Sequence, residues 1–77
     1  MRYKAQSLKG KKFHHPQGYT RGDGFGIMEI ESGRFVADEN KFHPWDYPYK
    51  NTAESIANQF NQIGPTGTIY LISELEA

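Results

Sequence analysis

The sequence predicts an α+β domain: a mostly antiparallel sheet of three to four strands with one helix packed on one face, in the order β-β-β-α-β. Three observations lead there. Apolar residues recur at helical spacing between Asn51 and Ile63, where Ala53, Ile56, Ala57, Phe60 and Ile63 share one face. Short apolar runs bounded by glycine, proline and asparagine stand on either side of that stretch. The chain has 77 residues, room for a single domain over 1–77. Strands and one helix joined by tight turns pack as a sheet with a helical cover.

Taken in order, Arg2 to Leu8 alternates, with Tyr3, Ala5 and Ser7 on one side and Arg2, Lys4, Gln6 and Leu8 on the other. That suits an edge strand, where lysine discourages pairing between chains. Residues 9–24 then form a basic, glycine-rich loop broken by Pro16, and structureless loops of that length are usually functional or mobile. Gly24 to Asp38 is a hairpin. Phe25, Ile27, Met28 and Ile30 run out, Ser32-Gly33 turns, and Phe35, Val36 and Ala37 return, with glycine able to take the positive φ of the turn. Asp38-Glu39-Asn40 is turn-like, and Phe42 to Tyr49, carrying Pro44 and Pro48, is an irregular edge segment.

The helix has both ends marked. Asn51 is expected to cap it, with Glu54 three residues on completing a capping box, and Gly64-Pro65 to stop it. Thr68 to Leu75 is the last strand, with either Ile69, Leu71 and Leu75 or Tyr70 and Ile72 facing the helix.

Hydrophobic residues make up only 36% of the chain, but aromatics reach 14%, so the core is expected to be aromatic. There is no cysteine, hence no disulfide and no thiolate metal site. A domain this small is marginally stable, at roughly 5 kcal/mol, and homodimerisation is one way to add to that. No apolar run follows Met1-Arg2-Tyr3 and none is long enough to span a bilayer, so the expectation is a cytoplasmic protein without a membrane partner. Net charge is zero, but it is segregated. Residues 1–22 hold Arg2, Lys4, Lys9, Lys11, Lys12 and Arg21 and no acid, whereas residues 23–77 set nine acids against Arg34, Lys41 and Lys50. The surface is expected to be bipolar, or the N-terminal segment to pair with the acidic remainder.

Catalytic constellations are missing. There is no cysteine nucleophile or nucleophile elbow, Ser7, Ser32, Ser55 and Ser73 sit where strands, turns and helix surfaces need small polar residues, and the carboxylates are scattered. The reading is a protein that is not an enzyme and needs no cofactor. His14, His15 and His43 could join Asp46 around a metal only if the loop folded back, and their spacing matches no standard zinc pattern, so they are read as solvated histidines. The glycines of GYTRGDGFG precede a strand and not a helix N-terminus, which makes them a flexible entry to the hairpin and no phosphate cradle. Arg21-Gly22-Asp23 resembles an integrin-recognition tripeptide, read as chance in a chain with no secretory feature.

Two segments carry the functional expectation. The first is basic: Lys9, Lys11, Lys12 and Arg21, with His14, His15, Phe13 and Tyr19 among them. Cations and stacking aromatics are the ingredients of nucleic-acid binding, and they equally suit an acidic protein surface. The acidic remainder speaks against a general nucleic-acid binder. The second is Phe42-His43-Pro44-Trp45-Asp46-Tyr47-Pro48-Tyr49, stiff and aromatic, in which Trp45, Tyr47 and Tyr49 are candidate contact residues and Phe42 is assigned to the core. Trp45 is equally a candidate for either role.

The hairpin FGIMEIESGRFVAD, the aromatic WDYPY, the helix AESIANQFN and the strand GTIYLISEL together resemble a pattern found in small bacteriophage and mobile-element accessory proteins, anti-CRISPR inhibitors among them. The resemblance covers residues 25–75 and does not extend to the basic N-terminal segment. It implies a protein that binds host or defence machinery and brings no catalytic residues. The expected function is therefore a non-catalytic inhibitor that occupies a surface of such a complex. The alternative is a small nucleic-acid-binding regulator using the basic segment.

Overall fold

The computed structural model describes residues 2–13, 23–65 and 67–75. It is an α+β domain in the predicted order: β1 (Tyr3–Ser7), β2 (Phe25–Glu29), β3 (Phe35–Ala37), α1 (Lys50–Gln62) and β4 (Tyr70–Ile72). The four strands form one antiparallel sheet in sequence order, with β1 and β4 at its edges.

β1 and β2 are in register from Tyr3 opposite Glu29 to Ser7 opposite Phe25. The β2–β3 hairpin turns where expected. The Gly33 amide donates to the Glu29 carbonyl at 2.9 Å and the Glu29 amide to Arg34 at 2.8 Å, with Gly33 at a φ of 71°. Ser32 Oγ donates to the Glu29 carboxylate at 2.8 Å, tying the turn to the strand that enters it. β3 joins β4 from Phe35 opposite Ile72 to Ala37 opposite Tyr70.

β2 and β3, however, pair only at Met28 and Phe35. Beyond that point they part, and the proline-containing segment lies between them. The Trp45 amide donates to Val36 of β3 at 2.9 Å, while Tyr47 and Phe25 of β2 exchange two bonds at 2.8 and 2.9 Å. Pro44 bridges Ala37 and Tyr47 bridges Phe25, both antiparallel. Because β2 and β3 run in opposite directions, a segment antiparallel to both must reverse between Pro44 and Tyr47. The expected edge segment is thus an arch inserted into the middle of the sheet. Proline is admitted there because Trp45 and Tyr47, not the prolines, supply the amide donors.

Alternation places a core on each face of the sheet. On the helix side Tyr3, Ile27 and Val36 pack with Ala53, Ala57 and Phe60 of α1, and Ala5, Phe25, Trp45, Tyr47, Ile56, Ile69 and Leu71 close around them. Of the two alternatives for β4, Ile69 and Leu71 therefore face the helix side. On the other face Phe35, Ala37 and Ile72 pack with Leu8 and Phe13. The first residues of the basic loop are that face's cover. Leu8 and Phe13 are buried, the Lys11 amide donates to the Leu8 carbonyl at 3.1 Å, and the Leu75 amide donates to Lys12 at 2.8 Å. Both cores are aromatic, with edge-to-face pairs Tyr3–Phe60 at 5.3 Å and Phe13–Phe35 at 5.4 Å.

Three local expectations are corrected. The helix begins at Lys50, so Tyr49, extended at φ −119°, is its N-cap and makes no side-chain cap bond. Asn51 already lies inside the first turn, and Glu54 sits too deep to close a capping box. Ile63 is 79% exposed, because it is the C-cap residue where the chain swings toward Gly64, at a φ of 99°. Phe42 is 38% exposed and not a core residue, since the turn at Asp38–Lys41 carries it off the end of β3 before the chain re-enters the sheet at Pro44.

Gly26 shows how tightly the arch is seated. A Cβ there would lie 3.1 Å from Leu8 Cδ2, 3.2 Å from Phe35 Cδ2 and 3.2 Å from the Trp45 carbonyl oxygen. Gly26→Ala is expected to destabilise the domain by about 1–3 kcal/mol through overpacking, read as a lower urea midpoint with an unchanged slope.

Candidate functional site

The sequence offered two separate contact segments. The structure joins one end of each. Lys9, just after β1, and Asp46 and Pro48, from the arch, line a single surface depression of about 320 Å³ together with Ser7, Asp23, Gly24 and Phe25. Gly24 is left-handed at φ 94°, and the Asp46 carboxylate lies where a side chain at that position would begin. Glycine is thus required for backbone conformation and for space at once. The mouth carries Lys9, Asp23 and Asp46, so it offers charges of both signs within one concavity.

The remaining candidates divide by environment. Lys11 Nζ pairs with Glu74 at 3.1 Å and lies 5.9 Å from the centre of the Phe35 ring, so its charge is partly committed within the molecule. With the exposed Arg2–Glu31 pair at 3.7 Å, that contact realises, at two residues, the expected pairing of the N-terminal segment with the acidic remainder. Lys12 has an exposed side chain, while its carbonyl holds Leu75. Arg21 lies outside the described residues, as do His14, His15 and Tyr19. Among the described residues no group of three histidines or acids is placed to hold a metal ion.

Trp45 is half-buried. Its ring meets Phe60 edge-to-face at 5.8 Å, and its amide is bound into the sheet. Tyr47 is also half-buried, and burial pushes its phenol above the usual value. Tyr3 is raised as well, by burial first and then by the nearby Glu29 and Glu31 carboxylates. Tyr49 differs from all of these. It is 69% exposed at the N-terminus of α1, one residue beyond Pro48 of the depression.

Sequence reasoning missed two residues that shape this surface. From sequence Asp46 is a conditional metal ligand; in the fold it packs on Gly24 and lines the depression. Ser7, a strand residue by its alternation, stands at the rim, its Oγ accepting the Lys9 amide at 3.2 Å. No sequence signal pointed to the first, since its contact with Gly24 joins residues distant in the chain. No protein-family model, curated protein or solved structure matches the chain.

Two expectations follow. Trp45→Ala should cost about 2–4 kcal/mol of unfolding free energy, whereas Tyr49→Ala should leave the urea midpoint nearly unchanged. The tyrosines set an alkaline limit. Their folded pKa values lie above the unfolded one, so their contribution is complete below about pH 10 and is lost as pH rises through the raised folded values. Denaturation measured from pH 9 to 12 should show that loss, and Tyr47→Phe should flatten it.

Proposed function

We propose that this chain is a non-catalytic protein-binding domain that blocks a partner by occupying its surface, with Lys9 at the depression, Tyr49 one residue beyond it and the exposed Lys12 elsewhere on the basic segment as principal contacts. The observation that carries the reading is Tyr49. It stands at a helix N-cap, where serine, aspartate or asparagine would bond a first-turn amide, and it makes no such bond. It leaves 69% of its surface in water, one residue beyond Pro48 of a depression that carries Lys9, Asp23 and Asp46. Tyrosine is among the residues that most often anchor protein interfaces. A residue that breaks two local rules at one place is expected where function overrides stability.

The framing supports the same reading. Leu8 and Phe13 pin the start of the basic segment, and Trp45 and Tyr47 pin the arch, so exposed side chains between and beside them are presented from a fixed backbone. The class of target, a host or defence complex, rests on the resemblance of residues 25–75 to small phage accessory proteins. Partial neutralisation of Lys11 by Glu74 leaves fewer cations for phosphate contacts and favours a protein partner over nucleic acid.

Tyr49→Asp separates stability from binding. It supplies the missing cap, and should stabilise the domain by about 1 kcal/mol while abolishing capture of the partner. The experiment is affinity capture from nuclease-treated lysate of the cells in which the gene functions, with wild type, Tyr49→Asp and Lys9→Glu as baits. A protein retained by wild type and lost by both variants is the expected result. Capture that disappears on nuclease treatment would assign the surface to nucleic acid instead. Equal capture by all three baits would refute the site.

A further inference from the structure

Two segments outside the sheet meet beside the core on the face away from α1. Lys11 Nζ lies 3.1 Å from Glu74 Oε1, and the Leu75 amide donates to the Lys12 carbonyl at 2.8 Å. Two successive residues of the basic segment thus meet two successive residues beyond β4. The two sides are fastened unequally. On the basic side Leu8 and Phe13 are buried, Phe13 packs edge-to-face on Phe35 at 5.4 Å, and the Lys11 amide donates to Leu8. On the other side the sheet ends at Ile72, paired with Phe35. Among the described residues no hydrogen bond or ion pair holds Ser73, Glu74 or Leu75 except those to Lys11 and Lys12.

Those two contacts are weak and reachable. The Lys11 and Glu74 side chains remain 23% and 41% exposed, so a competing carboxylate reaches them without disturbing either core. Leu75 belongs to neither buried cluster. An exposed ion pair shifts an equilibrium by about fivefold at most, and a single hydrogen bond by about tenfold at most. Residues 73–75 can therefore leave by a local opening while Phe13 keeps Lys11 and Lys12 in place. The contact also displays the chemistry that the basic segment takes. Its occupant is an acidic residue followed by an apolar one, the carboxylate on Lys11 and the next amide on a main-chain carbonyl. Lys12, exposed and in no ion pair among the described residues, is a further cation that the Glu74 carboxylate leaves unmet.

We propose that residues 73–75 are an autoinhibitory latch. Glu74 and Leu75 occupy Lys11 and the Lys12 carbonyl, and a partner segment of the same chemistry, an acidic residue followed by an apolar one, binds there by displacing them. A second carboxylate on the partner gains Lys12 and offsets the advantage of the tethered occupant. The apparent affinity of such a partner is reduced by the fraction of molecules whose latch is open, so weakening the latch strengthens binding. This rests on the chain being a binding protein that uses its basic segment, but not on the depression at Lys9.

The test is a titration of the full chain, at physiological salt, with a blocked heptapeptide of alternating glutamate and leucine, followed by amide NMR. In the wild type the peptide should shift the Lys11 and Lys12 amides and remove hydrogen-exchange protection from Leu75. Glu74→Gln should bind the peptide about fivefold more tightly, and without peptide its Leu75 amide should exchange about fivefold faster. Glu54→Gln, the same charge change on α1, should alter neither. Adding Lys11→Gln to Glu74→Gln should weaken binding about fivefold; if that chain fails to fold, the comparison of wild type with Glu74→Gln decides. Equal affinity of those two, no binding to either, or binding that leaves Leu75 protected would overturn the proposal. Binding lost by Lys9→Glu with Leu75 still protected would place the peptide at the depression, overturning the latch and leaving the binding reading intact. Leu75 protection that rises with protein concentration would overturn it as well, by giving the site to a second copy of the chain.

Discussion

β2 and β3 pair at Met28 and Phe35 alone, and the rest of the molecule depends on what fills the gap where they part. The filler is the arch from Pro44 to Tyr47, bonded to Val36 on one side and Phe25 on the other. Those backbone bonds satisfy groups that would otherwise be stranded in the centre of a sheet buried on both faces, where each unmet polar group costs about 1–3 kcal/mol. The arch also delivers side chains to two places. Trp45 turns inward against Phe60 and extends the helix-side core, while Asp46 and Pro48 line the surface depression. Its exit through Pro48 sets where α1 begins, which is why the N-cap falls on Tyr49.

A domain of this size has one helix to cover two sheet faces, and it solves the second with a loop. Leu8 and Phe13 fold the start of the basic segment over Phe35, Ala37 and Ile72, and the Lys11–Glu74 pair and the Leu75 amide fasten that cover to the chain beyond β4. A segment that looked like a free polycation is therefore half structural. Its lysines differ accordingly: Lys11 is committed to Glu74 and the Phe35 ring, whereas Lys9 stands at the depression. Of the cations concentrated at the N-terminal end of the chain, Lys11 meets Glu74 beyond β4 and Arg2 meets Glu31 in the β2–β3 turn.

Much of the fold was legible because its signals are local. Helical spacing from Ala53 to Phe60, Ser32-Gly33 between apolar runs, and Gly64-Pro65 each specify an element within a few residues. What was not legible depends on distant partners. Two prolines in Phe42–Tyr49 indicated an edge, because nothing local reveals that Trp45 and Tyr47 carry the amides that enter the sheet. The Asn51 cap failed because helix entry is set by the arch and not by the best capping residue nearby. Nothing local singles out Asn61, whose bonds to Tyr3 span 58 residues of sequence. At the candidate site, Tyr49 stands out from composition, whereas the meeting of Lys9 with Asp46 and Pro48 around one concavity depends on the topology.

The central structural claim is that the Pro44–Tyr47 arch belongs to the sheet's interior. Native-state hydrogen exchange at the Trp45, Tyr47 and Phe25 amides tests it most directly. All three should exchange only through openings close in free energy to global unfolding, and should share its denaturant dependence. Exchange of Trp45 and Tyr47 at rates typical of exposed loop amides, while Ile27 and Val36 stay protected, would contradict the account and return the segment to the surface.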